Sequence, residues 1–246
     1  MKIFLSCLAV LAGLAGPAFG QQRTVYLTFD DGPLTGTANI LSVLETERVP
    51  ATLFMVGMHV EASPAHEALL AKAKAMPLVT VGNHSYSHAH DQYRHFYADT
   101  DAVVADLERA NTVLGLTKKP FHTRLPGRDV FRLPDFSSDD FSIGKAEDNR
   151  EEPDFEFAAA DGFYLYGWDH EWVHDSRGKP VQSVEHLLSE IDNLFSHGRL
   201  VKPGKLILLM HDEMFQDSYD GTSNLTALIG GLKAKGYAFG TIESYD

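Results

Sequence analysis

The sequence predicts an α/β fold in which a parallel sheet, open or closed into a barrel, is wrapped by helices, and three observations carry that reading. Apolar runs of strand length alternate with longer amphipathic stretches along nearly the whole chain. Acids, histidines and an arginine stand where several of those runs end, which is where sheets of this class present their sites. No linker, repeat or low-complexity tract interrupts the pattern, so one large core explains the chain better than two small ones.

The elements follow in order. Strands are expected at residues 24–29, 51–56, 78–81, 121–124, 163–168, 206–210 and 237–242, with helices at 37–47, 64–75, 100–114, 184–195 and 225–235. The first strand ends in Asp30 and Asp31, and Gly32 and Pro33 then bend the chain away. Neighbouring strand residues point to opposite faces, so two adjacent acids there are free to take different tasks. Residues 129–160 carry many acids and several phenylalanines without a clean period, and an irregular surface excursion that shapes or covers a site is expected there.

Residues 1–20 read as a cleaved secretory signal. Lys2 precedes an apolar run over residues 3–14 that is too short to cross a membrane, and Ala18 and Gly20 suit a cut before Gln21. The single cysteine, Cys7, lies inside that leader, so disulfides, thiolate zinc sites and cysteine nucleophiles are excluded from the catalytic domain expected at 21–246. The product is expected to be secreted or periplasmic and monomeric, with no membrane span. A formal charge of −13 disfavours nucleic acid and anionic membranes as partners.

The strand ends deliver Asp30 and Asp31, then His84 and His88, Arg124, Asp169, and His211 followed by Asp212. His84 and His88 are four residues apart, which suits two imidazoles reaching one ion from a helical turn. A second pair has the same spacing, because His170-Glu171-Trp172-Val173-His174 matches the H-E-x-x-H pattern of zinc proteases. That motif needs a sustained helix, and here a strand and the turn 175–180 leave it barely two helical turns, so a protease using His170, Glu171 and His174 is a distant alternative.

As an ordered set these residues resemble the polysaccharide deacetylase family, carbohydrate esterases that share the NodB homology domain. Thr28-Phe29-Asp30-Asp31-Gly32 matches its first motif letter for letter, His84-Ser85-Tyr86-Ser87-His88 matches its second, and Leu209-Met210-His211 its last. Two motifs are altered: Arg124-Leu125-Pro126-Gly127-Arg128 shortens the usual R-P-P-x-G turn, and Asp169-His170-Glu171-Trp172 compresses the usual D-x-x-D-W. The resemblance spans residues 24–242 and implies a distorted (β/α) barrel of parallel strands.

It also implies a mechanism. Asp31, His84 and His88 would bind one divalent ion, with zinc the first choice, and Asp30 would be the general base for the attacking water. His211 would be the acid that protonates the leaving amine, since an imidazole holds a proton near neutral pH. Arg124 would orient Asp30, and an acid of the fourth motif, Asp169 or Glu171, would hold the arginine. Trp172 and Leu209 would shape an apolar pocket for the acetyl methyl. The expected substrate is an acetylated glycan: chitin, peptidoglycan or an exopolysaccharide containing N-acetylglucosamine. An acetyl ester on xylan fits the same chemistry, and a carbohydrate-binding relative without catalysis is the alternative from another class.

Overall fold

A computed structural model describes residues 22–245, so the leader expected at residues 1–20 lies outside the described residues. The first strand, β1 (Thr24–Asp30), is buried from Val25 onward, and its β-branched and aromatic residues suit a central strand. Next come α1 (Thr37–Glu47), β2 (Ala51–Met55), α2 (Gly57–Glu61), α3 (Pro64–Ala75) and β3 (Val79–Asn83). Ser63 starts α3 by accepting from the His66 N–H, and Pro64 occupies a first-turn position where a missing N–H costs nothing. After α4 (Tyr93–Phe96), α5 (Thr100–Leu114) is capped by the Asp99 carboxylate and leads to β4 (Phe121–Thr123). The chain continues through β5 (Phe131–Leu133), β6 (Phe136–Ser138), α6 (Lys145–Ala160), β7 (Phe163–Leu165) and β8 (His170–Glu171). It closes with α7 (Val184–His197), β9 (Lys205–His211), α8 (Gly221–Ala234) and β10 (Ala238–Phe239).

The sheet order is β6-β5-β7-β4-β3-β2-β1-β9-β8, with β10 added beside β1. Among the described strands only the pairings of β5, with β6 and with β7, are antiparallel. The result is a curled half-barrel of mostly parallel strands wrapped by helices, as the alternation predicts.

Strand alternation sorts β1 between two cores. Val25, Leu27 and Phe29 pack outward with α1, α7 and α8, while Tyr26 turns inward with Phe54, Ile207 and Tyr245. Thr28 and Asp30 continue that inner face by the period of two. Along its full length β1 pairs with β9, and the register ends with Asp30 opposite His211. Burial on both faces fixes this register, because a one-residue slip would exchange every inward and outward side chain.

Residues 129–160 depart from the expected irregular excursion: they form the β5–β6 hairpin and the helix α6. The helix escapes a pattern search because its buried face, Glu151, Asp154, Phe155 and Ala158, has helical spacing but is half acidic. Pro153 inside it adds a further misleading signal. Each inward acid meets a polar partner from outside the helix. Arg128 grips Glu151 through two bonds of 2.6 and 3.0 Å, and the Thr100 hydroxyl donates to Asp154.

Candidate active site

The C-terminal ends of β1, β3 and β9 and the residue after β4 meet around a cavity of about 530 Å³. Asp30 arrives on the inner face of β1. Asp31 would point outward if the strand continued, but its φ of 74° turns it out of the extended conformation, and both acids line the same cavity. Asp212, at the end of β9, steadies this turn by accepting from the Gly36 N–H at 2.8 Å and from the Thr37 hydroxyl. Burial pushes the Asp212 carboxyl up to about 6.

Arg124 is fully buried and every part of its guanidinium is committed. Nη1 donates to Asp30 Oδ1 at 2.9 Å and to Thr28 Oγ1, Nε donates to the Tyr166 carbonyl, and Nη2 donates to the Gly167 carbonyl. The rigid fork leaves Asp30 Oδ2 as the oxygen facing the cavity chemistry. The backbone of the same residue has a second task, since the Arg124 carbonyl accepts from His84 Nδ1 at 2.7 Å.

The Nδ1–Arg124 bond fixes the His84 tautomer. A carbonyl only accepts, so Nδ1 carries a proton, and the tautomer this selects would present a bare Nε2 to Asp31 Oδ1, 3.3 Å away. Asp91 does the same for His88: its carboxylate lies 3.0 Å from Nδ1, leaving Nε2 3.1 Å from the same Asp31 oxygen. Among the described residues Asp31 Oδ1 is itself buried without a hydrogen-bond partner. Three electron-pair donors converging on one spot is an arrangement that calls for a cation, and ligand atoms of Asp31, His84 and His88 all lie within 4.8 Å of one another. A proton on His88 meets the same need. Burial disfavours the charged imidazole, but Asp31 and Asp91 outweigh it and raise the His88 pKa. Burial likewise opposes ionisation of Asp31, yet His84 and His88 hold its carboxyl well below the usual range.

His211 faces this cluster across the β1–β9 pair. Its Nδ1 is buried without a partner, the Glu171 carboxylate is 4.0 Å away, and the His174 ring lies edge-on at 4.6 Å. Burial lowers its pKa, opposed by the charges of Asp31 and Asp30.

Residues 20–140 match the family model described as polysaccharide deacetylase. YheN of Bacillus subtilis (strain 168), assigned by name to the polysaccharide deacetylases, is 30% identical over 225 residues, which cover 90% of this chain and 68% of YheN. The chain belongs to the polysaccharide deacetylase family. The chitin disaccharide deacetylase of Vibrio alginolyticus is 25% identical over an alignment covering 100% of this chain and 78% of that protein. In fold, the chain is similar to a Streptococcus mutans CE4 esterase, with a TM-score of 0.66 and 24% identity over 89% of this chain and 86% of that one.

Within this family frame, three expectations from the fourth motif need correction. Asp169 does not hold Arg124. Its oxygens accept from the Val201 and Ile207 N–H groups at 2.6 and 2.8 Å, tying the β8 region to β9, and burial pushes its carboxyl up to about 6. Glu171 does not hold it either, and among the described residues the one carboxylate paired with Arg124 is Asp30. Trp172 is not on the cavity: it is 1% exposed, donates to the Gln182 carbonyl and packs on Phe215 in the outer core. Strand alternation explains this, because Glu171 points in and its neighbour must point out. Trp168 lines the cavity in its place, together with Leu209.

The protease alternative falls on the same element. His170 and Glu171 lie on a strand rather than a helix, and His170 turns to Glu190 of α7 at 3.2 Å, away from His174. His59, Tyr93 and Glu213, absent from the sequence reading, also line the cavity. His59 Nδ1 donates to the Asp31 carbonyl at 2.6 Å, and no short motif signals a contact of that kind.

Proposed function

We infer that the chain is a metal-dependent hydrolase that removes N-acetyl groups from an oligo- or polysaccharide containing N-acetylglucosamine. The observation that carries this reading is the register that sets Asp30 against His211 beside the converging donors of Asp31, His84 and His88. A divalent ion held by those three residues, zinc by the chemistry of two imidazoles and one carboxylate, would supply carbonyl polarisation and an acidified water. Asp30 Oδ2, left open by the Arg124 fork, accepts the proton of the attacking water. Arg124 holds Asp30 aimed through its 2.9 Å bond, so the base needs no reorganisation during the reaction. His211 donates its Nε2 proton to the departing nitrogen, and Glu171 near Nδ1 favours the imidazolium that this step requires. Leu209 and Trp168 form the apolar wall against which the acetyl methyl sits. No described helix is long and apolar enough to cross a membrane, and the leader expected at residues 1–20 would carry a monomeric enzyme out of the cytoplasm.

The test is acetate release from N-acetylglucosamine oligomers and from acetylated xylan, before and after chelation and zinc restoration. The reading expects chelator-sensitive release from the oligomers. Release from xylan alone would move the substrate to an ester, and no acetate from either with zinc restored would overturn the enzyme.

A further inference from the structure

The sheet order puts β2 between the two strands that lead into the candidate metal ligands, β1 before Asp31 and β3 before His84 and His88. A middle strand of a parallel sheet bonds to both neighbours, and where the chain runs past its end it meets both of the loops that follow them. Here that overrun is residues 55–59, and all five are used. The Met55 carbonyl accepts from the His84 N–H at 2.9 Å, and the Val56 N–H donates to the Gly32 carbonyl at 2.8 Å. Helix α2 then begins, and the first N–H groups of a helix have no partner inside it. Those of Gly57 and Met58 go to the Ser85 and Tyr86 carbonyls, at 3.0 and 2.9 Å, inside the His84–His88 loop. Gly57 permits this approach, since a Cβ there would stand 2.7 Å from Tyr86 Cδ2.

The last bond of the series is made by a side chain. The φ of 74° that brings Asp31 to the cavity also takes its carbonyl out of the strand ladder, so that oxygen needs a donor from elsewhere. His59 supplies it, with Nδ1 donating at 2.6 Å. A carbonyl only accepts, so Nδ1 carries a proton. His59 is itself held from behind, because His66 Nδ1, in the first turn of α3, donates to the His59 carbonyl at 2.7 Å. The His59 side chain is half-buried and lines the cavity, yet it stands outside the group of converging donors, which is Asp31, His84 and His88.

Residues 55–59 thus grip successive carbonyls in each loop: Asp31 and Gly32 in one, Ser85 and Tyr86 in the other. A non-glycine residue with positive φ persists only where its surroundings over-determine it, and at Asp31 the bonds from Val56 and His59 do so. We propose that His59 is a positioning residue of the metal centre. Through Nδ1 it locks the Asp31 turn onto the strap 55–59, so that the carboxylate is already set against both imidazoles when the ion binds. The proposal rests on the metal-dependent reading and adds a residue outside the ligand set that governs how tightly the ion is held.

The experiment challenges the zinc-loaded protein with graded chelator and reads the zinc dissociation constant, with melting curves recorded alongside. Losing an outer partner of this kind weakens metal binding about 10–100-fold, and that loss is expected of His59→Ala. Two further variants tell which ring nitrogen acts. His59→Asn puts an amide N–H near the place of Nδ1 and should recover most of the affinity, whereas His59→Gln carries its amide toward the place of Nε2 and should not. This contrast decides the matter even if the alanine variant fails to fold. Zinc affinity unchanged in His59→Ala, or a lowered melting temperature without weaker zinc binding, overturns the proposal. Recovery by His59→Gln rather than His59→Asn overturns it too, because Nε2 would then be the working atom. A wild type that binds no zinc would overturn the metal reading itself, and the proposal with it.

Discussion

The two halves of the active site are built differently. The half on β1, β3 and β9 is framed by β1 and β9, strands buried on both faces, with only the end of β3 buried beside them, and there Asp30, His84 and His211 stand where their motifs place them. The half on residues 166–174 passes through a bend and a two-residue strand, and there the motif letters mislead: Asp169 serves backbone N–H groups and Trp172 serves the core. A motif carries side-chain direction only where burial on both faces fixes the register.

The contrast is sharpest under mutation. The largest effect should come from Asp30→Asn, which keeps an acceptor for Arg124 but removes the proposed base. We expect kcat to fall by about 10²–10⁴ in the protein that remains folded, with a lowered melting temperature because the buried Arg124 charge loses its counter-ion, read by acetate release and calorimetry. Arg124→Ala should remove activity and also cost about 3–5 kcal/mol of stability, because it strands the Asp30 charge in a buried place. In the other half, Asp169→Asn should cost about 1–3 kcal/mol in a urea titration while folded protein keeps its kcat. If Asp169→Asn lost activity at full stability, the assignment of this half would be wrong.

The tryptophans offer the next comparison. Trp172→Ala should destabilise by about 3–5 kcal/mol with little change in KM per folded molecule, and Trp168→Ala should raise KM with a smaller loss of stability. The reverse pattern would restore Trp172 to the substrate pocket.

Much of this organisation was legible in the chain. The α/β class and the main helices followed from period and length, and helices 37–47, 64–75 and 100–114 agree with α1, α3 and α5 at both ends. The sequence also singles out Asp30, Asp31, His84, His88, Arg124 and His211 as candidates, and the structure brings all six to one cavity or its wall. What escaped has physical causes. The α6 helix hid behind inward-facing acids that partners distant in sequence make tolerable, Arg128 for Glu151 and Thr100 for Asp154. The positive φ of Asp31 and of residues 88–91 falls on non-glycine residues, where sequence gives no warning. His59 acts on the Asp31 backbone from another element, a contact that only the fold creates.

The smallest expected effect concerns pH. Asp154 on α6 has one buried oxygen without a partner, and burial pushes its carboxyl from 3.8 up to about 6. A raised acid binds its proton more tightly folded than unfolded, so its contribution to stability is greatest below 3.8 and is lost as pH rises through about 6. Urea midpoints of Asp154→Asn relative to wild type should therefore improve between those values and level off above them. A flat difference across that range would contradict the linkage.

We propose that the adjacent carboxylates do unlike work, Asp31 in binding the ion and Asp30 in moving the proton. Zinc stoichiometry measured beside acetate release on wild type, Asp31→Ala and Asp30→Asn tests it directly. The prediction is one bound ion in wild type, its loss in Asp31→Ala, and its retention in an Asp30→Asn protein that releases almost no acetate. Retention of both ion and activity in Asp31→Ala, or loss of the ion in Asp30→Asn alone, would contradict it.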